Sequence, residues 1–417
     1  MRLQIVHPML GLACVVCVFQ LFVCGQPACG QWIPNLDVQS PAPLEYKLAM
    51  KDAASSPIAV PRGFDPLPLE KPACEIYVPS RYRAEKPAGL ILYLSPGPRS
   101  QAARPWKSTF ERQQLLYASP HGIGNRVPVE HRVQTAIAVL HHMRSKYNID
   151  PDRVYLVGFS GGARLALMIA FAYPEYFGGV VAIGSGGLLP KEPWMFDRIR
   201  DRLRVGLIIG RTDGFRREVE FQTYNLLNES KIATKLFVPS TKHVLPKART
   251  LTDALKWLEE GLDERRELAA KFPATRIADT PDPEEWSERL LAEAKQRLAE
   301  PETIRSGVAM LSAVSERWPE TKAAADAKEI YAKYDANNEG DWKTKQRELV
   351  EERLLADAKS MEALATDTLP FPSLEYVRAN SLTNAIEGWR SIGILTKDSD
   401  LRETAKKKVQ ELSALAK

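Results

Sequence analysis

The sequence predicts an α/β protein: a mostly parallel sheet flanked by helices, followed by an all-α C-terminal segment. Three observations carry this. Between residues 75 and 262, short apolar runs of strand length alternate with longer stretches at helical period, and the strand runs lack in/out alternation. That is the pattern of strands covered on both faces. Beyond residue 284 Ala, Leu, Glu, Lys and Arg recur at helical spacing without a convincing strand run. Between the two regions, residues 272–283 (FPATRIADTPDP) hold three prolines and no apolar stripe, the composition of a linker.

Residues 1–30 read as a signal peptide. Arg2 precedes an apolar run over residues 9–24, interrupted only by Gln20; it is short for a membrane span and suits a signal core. Ala28-Cys29-Gly30 offers the first-choice cleavage site and Val23-Cys24-Gly25 the second, with an uncleaved anchor as the alternative. An exported protein, periplasmic or extracellular and without a stable membrane span after cleavage, is therefore expected. Cys14, Cys17, Cys24 and Cys29 all fall in this segment. Cys74 is then left alone, and the mature domain must rely on its core instead of disulfides.

Residues 31–62 are Pro-rich and non-periodic, an extended N-terminal segment. Residues 63–271 form the α/β domain. Its expected strands are 75–78, 89–94 (GLILYL), 115–118, 153–157 (RVYLV), 179–183, 205–209 (VGLII) and 235–238; its expected helices are 129–147, 163–171, 218–227 and 248–270. Residues 284–417 form a helical domain, with helices at 284–299, 302–317, 320–334, 341–366 and 398–416. The tetrapeptides at 272–275 (FPAT) and 318–321 (WPET) resemble the ends of helical-hairpin repeats, and such helices are candidates for holding a protein partner.

With 44% hydrophobic and 26% charged residues, the chain is neither a multi-span membrane protein nor wholly disordered. The net charge of +5 is spread along it. Lys406, Lys407 and Lys408 form the only tight basic cluster, inside a helical pattern where a solvated face accounts for them, so no nucleic-acid footprint is seen.

The chemistry concentrates at Gly158-Phe159-Ser160-Gly161-Gly162. A G-x-S-x-G pattern alone is weak, but this one follows the strand RVYLV and opens the apolar helix ARLALMIAFA. A sharp strand-to-helix turn strains the serine backbone and lifts its hydroxyl above the sheet, and the flanking glycines permit close helix–strand contact. A serine nucleophile needs a base. In the fold that carries this elbow the chain order is nucleophile, acid, histidine, and His243 is the only histidine after Ser160. The acid belongs between them, after a strand. Asp213 directly follows VGLIIGRT; Glu218 and Glu220 are alternatives, and Asp197 and Asp201 read as solvated charges. An oxyanion hole needs two backbone N–H donors. Gly161 supplies one. In the loop Ser95-Pro96-Gly97-Pro98 the prolines have no N–H, which leaves Gly97 as the second.

From the YNIDPDR stretch beginning at Tyr147 through VYLVGFSGGARLALMIAFAYPEYFGGVVAIGSG, the chain resembles the α/β-hydrolases, in particular exported bacterial esterases of the polyhydroxybutyrate-depolymerase and feruloyl-esterase group. The likeness covers about residues 75–262. It implies an α/β-hydrolase fold and carboxylic-ester hydrolysis of a small-molecule or polymer-borne ester through an acyl-enzyme, without metal or cofactor. The chain departs from that group at Ser95-Pro96, where such enzymes carry His-Gly. A serine peptidase or acyltransferase would use the same residues. The rival of another class is a catalytically silent hydrolase-fold binding module. The stretch 184–202 is too short for a helical lid domain, so an open site is expected.

Overall fold

The computed structural model describes residues 30–38, 72–100, 102–187, 189, 193–271, 283–367 and 375–416. The expected signal core, most of the Pro-rich segment and nearly all of the linker lie outside these residues. Eight strands form one sheet: β1 (Trp32–Asp37), β2 (Ala73–Tyr77), β3 (Ala88–Leu94), β4 (Leu115–Pro120), β5 (Ile149–Phe159), β6 (Gly179–Ile183), β7 (Val205–Ile208) and β8 (Thr234–Phe237). Their spatial order is β1-β2-β4-β3-β5-β6-β7-β8. β2 runs antiparallel to both neighbours, and every pairing from β4 to β8 is parallel. This is the α/β-hydrolase strand order.

Successive strand residues point to opposite faces, and both faces are covered. Leu90, Leu92, Leu94, Val154 and Leu156 belong to one core, with Ile137 and Leu140 of α2 (Val129–Lys146) and Leu165 and Ile169 of α3 (Gly161–Ala172). Ile91, Tyr93, Tyr155, Val157 and Val181 face the other way. They pack against Trp106 and Phe110 of α1 (Ala103–Gln113) and Leu251 and Leu255 of α6 (Ala248–Glu259). The absence of polar alternation in the strands is thus explained by two buried faces.

Four local readings change. Trp32–Asp37, read as part of an extended tail, is an edge strand, where Pro34 lacks only a donor that the edge does not need. Trp32 packs on Tyr77 and Tyr117 at 5.7 and 6.1 Å. The helix expected over 248–270 is two, α6 and α7 (Leu262–Lys271). α1 was not anticipated, nor was a helix over Glu375–Leu395 in the C-terminal region.

Between β6 and β7 lies α4 (Pro193–Arg202), and after β7 comes a π-helical segment, Glu218–Asn225, that runs into α5 (Leu226–Glu229). The C-terminal helices are α8 (Pro283–Leu298), α9 (Ile304–Arg317), α10 (Lys322–Asn337), α11 (Trp342–Thr366), α12 (Glu375–Leu395) and α13 (Ser399–Leu415).

These helices are not tethered loosely. Leu290 and Ala294 of α8, with Val308 and Leu311 of α9, share one continuous core with Phe196 and Ile199 of α4. Arg297 donates to Asp201 at 2.5 Å and to Glu293 at 2.7 Å, and Arg305 donates to Asp197 at 2.5 Å. Asp197 and Asp201, read from sequence as solvated, are instead anchors for cations about a hundred residues later. α11 lies across the π-helical segment: Ser360 donates to the Phe221 carbonyl, and Arg353 stacks on Phe196 at 4.6 Å. α11, α12 and α13 close a satellite core around Trp389 and Ile392.

Candidate active site

β5 ends at Phe159 and α3 begins at Gly161, so Ser160 is the entire turn between them. Its backbone is held at φ 53° and ψ −123°, a left-handed-side conformation that non-glycine residues seldom adopt. The neighbouring glycines make the turn possible. A Cβ on Gly158 would lie 2.2 Å from the Gly162 carbonyl oxygen, and one on Gly162 would lie 2.1 Å from that of Leu94. The Ser160 N–H donates to the Ile183 carbonyl at 2.8 Å, tying the elbow to β6.

The structure brings three of the sequence-selected side chains together. His243 Nε2 is 3.1 Å from Ser160 Oγ, and His243 Nδ1 is 2.9 Å from Asp213 Oδ2. Asp213 is buried, with 1% of its side chain exposed, and His243 is one-third exposed. Asp213 Oδ1 also accepts the Phe215 N–H at 2.9 Å. That second bond turns Oδ2 toward the imidazole. The histidine loop is registered on the acid loop by backbone: Arg211 N–H donates to Pro239 O at 2.8 Å and Thr212 N–H to Thr241 O at 3.1 Å. Phe159 and Phe215 flank the imidazole, with ring centroids at 4.9 and 5.3 Å.

The alternative acids go elsewhere. Glu220 accepts from Arg216 at 2.6 Å. Glu218 pairs with Arg164 of α3. Burial, with the nearby Asp213 charge adding to it, pushes the Glu218 carboxyl above its ordinary range despite that partner. Cys74 is buried in β2, and its thiol is pushed up to about 12, chiefly by burial. It is packing, not a nucleophile.

The oxyanion candidates differ from each other. Gly161 opens α3, so its N–H has no intrahelical acceptor and faces the helix N-terminus. Gly97 N–H instead donates to Ser95 Oγ at 3.1 Å, while that hydroxyl donates to the Arg99 carbonyl at 3.0 Å. The second expected donor is therefore engaged within its own loop. That loop is packed by another, 121–127, in which sequence reasoning assigned no catalytic or oxyanion residue: Gly122 N–H donates to Pro98 O and Asn125 N–H to Pro96 O, both at 2.8 Å. Nothing local in the sequence marked Asn125, because its significance arises only where the two loops meet the elbow. The described residues contain no cluster of three or more acidic, His or Cys side chains able to hold a metal ion.

No protein-family model matches this chain. Among curated proteins it is similar to a putative esterase, NocK, of Nocardia uniformis subsp. tsuyamanensis, 37% identical over 76 residues, 18% of this chain and 22% of that one. It is also similar to poly(3-hydroxyalkanoate) depolymerase C of Paucimonas lemoignei, 40% identical over 45 residues, 11% of each chain. The chain thus spans less than a quarter of either relative. Solved structures with similar folds include the S-formylglutathione hydrolase FrmB of Staphylococcus aureus, at 10% identity and TM-score 0.37 over 45% of this chain and 90% of that one. Est1E of Butyrivibrio proteoclasticus matches at 12% identity and TM-score 0.35 over 46% and 94%. The strand order, and not these superpositions, defines the fold.

Proposed function

We propose that this protein is a serine hydrolase acting on carboxylic esters. The observation that carries the reading is the continuous relay from Ser160 Oγ through both imidazole nitrogens to a buried Asp213 carboxylate, at 3.1 and 2.9 Å, on a strained elbow at a helix N-terminus. In this reading Ser160 Oγ attacks the ester carbonyl carbon as its proton passes to His243 Nε2. The tetrahedral intermediate collapses when Nε2 returns the proton to the leaving alkoxide, freeing the alcohol and leaving an acyl group on Oγ. Water repeats the sequence and releases the acid. Asp213 accepts the Nδ1–H bond, holds the tautomer and stabilises the imidazolium. Gly161 N–H donates to the oxyanion.

The short matches to a putative esterase and to a polyhydroxyalkanoate depolymerase support esters over amides as substrates. Export, inferred from the apolar N-terminal run, suits a polymer-borne or extracellular ester. The reading is tested by assaying the purified protein on p-nitrophenyl esters, cinnamoyl esters and peptide amides. Ester turnover that vanishes in Ser160→Ala supports it. Turnover confined to amides, or none on any of the three, overturns it.

A further inference from the structure

The engagement of Gly97 N–H by Ser95 Oγ leaves Gly161 as the only one of the two expected backbone donors free to meet an oxyanion. A different group stands beside Gly161. In the five-residue pattern around Ser160 the residue after the serine is nominally free, yet here it is glycine, and the space a side chain would fill is taken. A Cβ on Gly161 would lie 2.1 Å from Asn125 Oδ1 and 2.6 Å from Asn125 Nδ2. The Asn125 carboxamide therefore lies directly over the residue whose N–H is the oxyanion donor. Asn125 is itself an exposed residue.

Its orientation is set from beneath. Arg132, on the first turn of α2, is buried at 6% exposure. Its Nε donates to the Ile123 carbonyl at 2.8 Å, and its Nη2 faces Asn125 Oδ1 at 3.4 Å and the Gly161 carbonyl at 3.3 Å. A guanidinium only donates, so the amide oxygen must face it, and the amide nitrogen must face away. Among the described residues Asn125 Nδ2 has no hydrogen-bond partner, and Arg132 has no carboxylate partner. The carbonyl of Gly161 and the oxygen of Asn125 are thus drawn toward one buried cation. The N–H of Gly161 and the NH₂ of Asn125 are left for the substrate side.

We propose that Asn125 is a catalytic residue: its Nδ2–H donates to the oxyanion alongside Gly161 N–H, and Arg132 is the positioning residue that aims the amide. This rests on the serine-hydrolase reading above. A side-chain donor then does what the His-Gly loop of similar enzymes does by backbone, and it accounts for why Ser95-Pro96 is tolerated here. The buried Arg132 charge adds a preorganised positive potential under the developing negative oxygen.

The test uses the full chain and p-nitrophenyl acetate, with Ser160→Ala as the control for the hydrolase reading. Asn125→Ala removes the amide. Asn125→Asp keeps its shape and its acceptor toward Arg132 while removing the donor. Both variants are expected to lose kcat by about 100-fold or more with KM within about threefold. Affinity for a trifluoromethyl ketone, whose serine adduct carries the oxyanion, is expected to fall in parallel. A structural role predicts the opposite split, with Asn125→Asp close to wild type. That result, or an Asn125→Ala variant within threefold of wild-type kcat, overturns the proposal while Ser160-dependent turnover leaves the hydrolase reading standing. A wild-type protein with no Ser160-dependent turnover overturns both.

Discussion

The turn around Ser160 and the helical C-terminal region handle their exceptions to ordinary local rules in opposite ways. Around Ser160 four of them gather at one point. A non-glycine residue at positive φ, glycines with no room for a Cβ, a buried cation without a carboxylate and an unpartnered amide all lie around Ser160. In the C-terminal region the buried charges are paired, although Glu293 Oε2, Ser306 Oγ and Trp318 Nε1 lack a hydrogen-bond partner among the described residues. Glu293, with no exposed side-chain surface, is held by Arg297, and Arg297 and Arg305 reach out of their helices to Asp201 and Asp197 of α4. Around Ser160 local strain accompanies the chemistry. Buried charge that is answered by its opposite marks a brace. The helical region is thus a structural partner of the fold's flank, and α11 supports the π-helical segment beyond Asp213.

The sharpest way to break this comparison is to remove the brace. A protein ending at residue 271 would expose the apolar face of α4 and leave Asp197 and Asp201 without their arginines. It is expected to be insoluble or to lack a cooperative melt, contrary to the independence that the linker composition suggests. A soluble truncation with kcat/KM within tenfold of the full chain would show that the flank is dispensable. Next in size, Ser160→Ala and Asp213→Asn are each expected to lower kcat/KM about 1000-fold or more while the melting temperature changes little. Steady-state kinetics with calorimetry checks both halves of that statement.

Within the brace, Arg297→Met strands the buried Glu293 carboxylate and is expected to cost about 3–5 kcal/mol in urea unfolding. The double variant Arg297→Met/Glu293→Leu should recover much of that loss. The smallest effect concerns Glu218. Its folded-state pKa lies above the unfolded value, chiefly through burial. The folded protein therefore binds this proton more tightly, and the stability it contributes is present at low pH and lost as pH rises through the raised pKa. Glu218→Gln does not titrate. It should match wild type near pH 4 and equal or exceed it in melting temperature at pH 8, because its partner Arg164 is half-exposed and loses little. A variant less stable than wild type at pH 8 by several degrees would contradict the assigned cost of burial.

The elbow, the histidine and the acid were legible in the sequence because each is constrained locally. The glycines answer a steric demand, a single histidine follows the serine, and Asp213 sits at a strand end. The parallel strands were legible because burial on both faces removes alternation. What was not legible depends on partners far along the chain. Asp197 and Asp201 look like any solvated helix charges until Arg305 and Arg297 arrive. α1 shows only Trp106 and Phe110 as its inward pair amid polar residues. α12 contains Gly388, which weakens a helical pattern yet lets Ala358 of α11 approach to 3.0 Å of where a Cβ would stand. Asn125 is one exposed loop residue, and only the folded arrangement sets it over Gly161.

The central claim is that Ser160 is an activated nucleophile in the folded chain. A fluorophosphonate probe tests it without assuming any substrate. Intact-mass measurement of the full chain should show a single adduct, mapped by peptide sequencing to Ser160, absent from Ser160→Ala and formed far more slowly in His243→Ala. No adduct on the wild-type protein, or one mapped to another residue, would contradict the account.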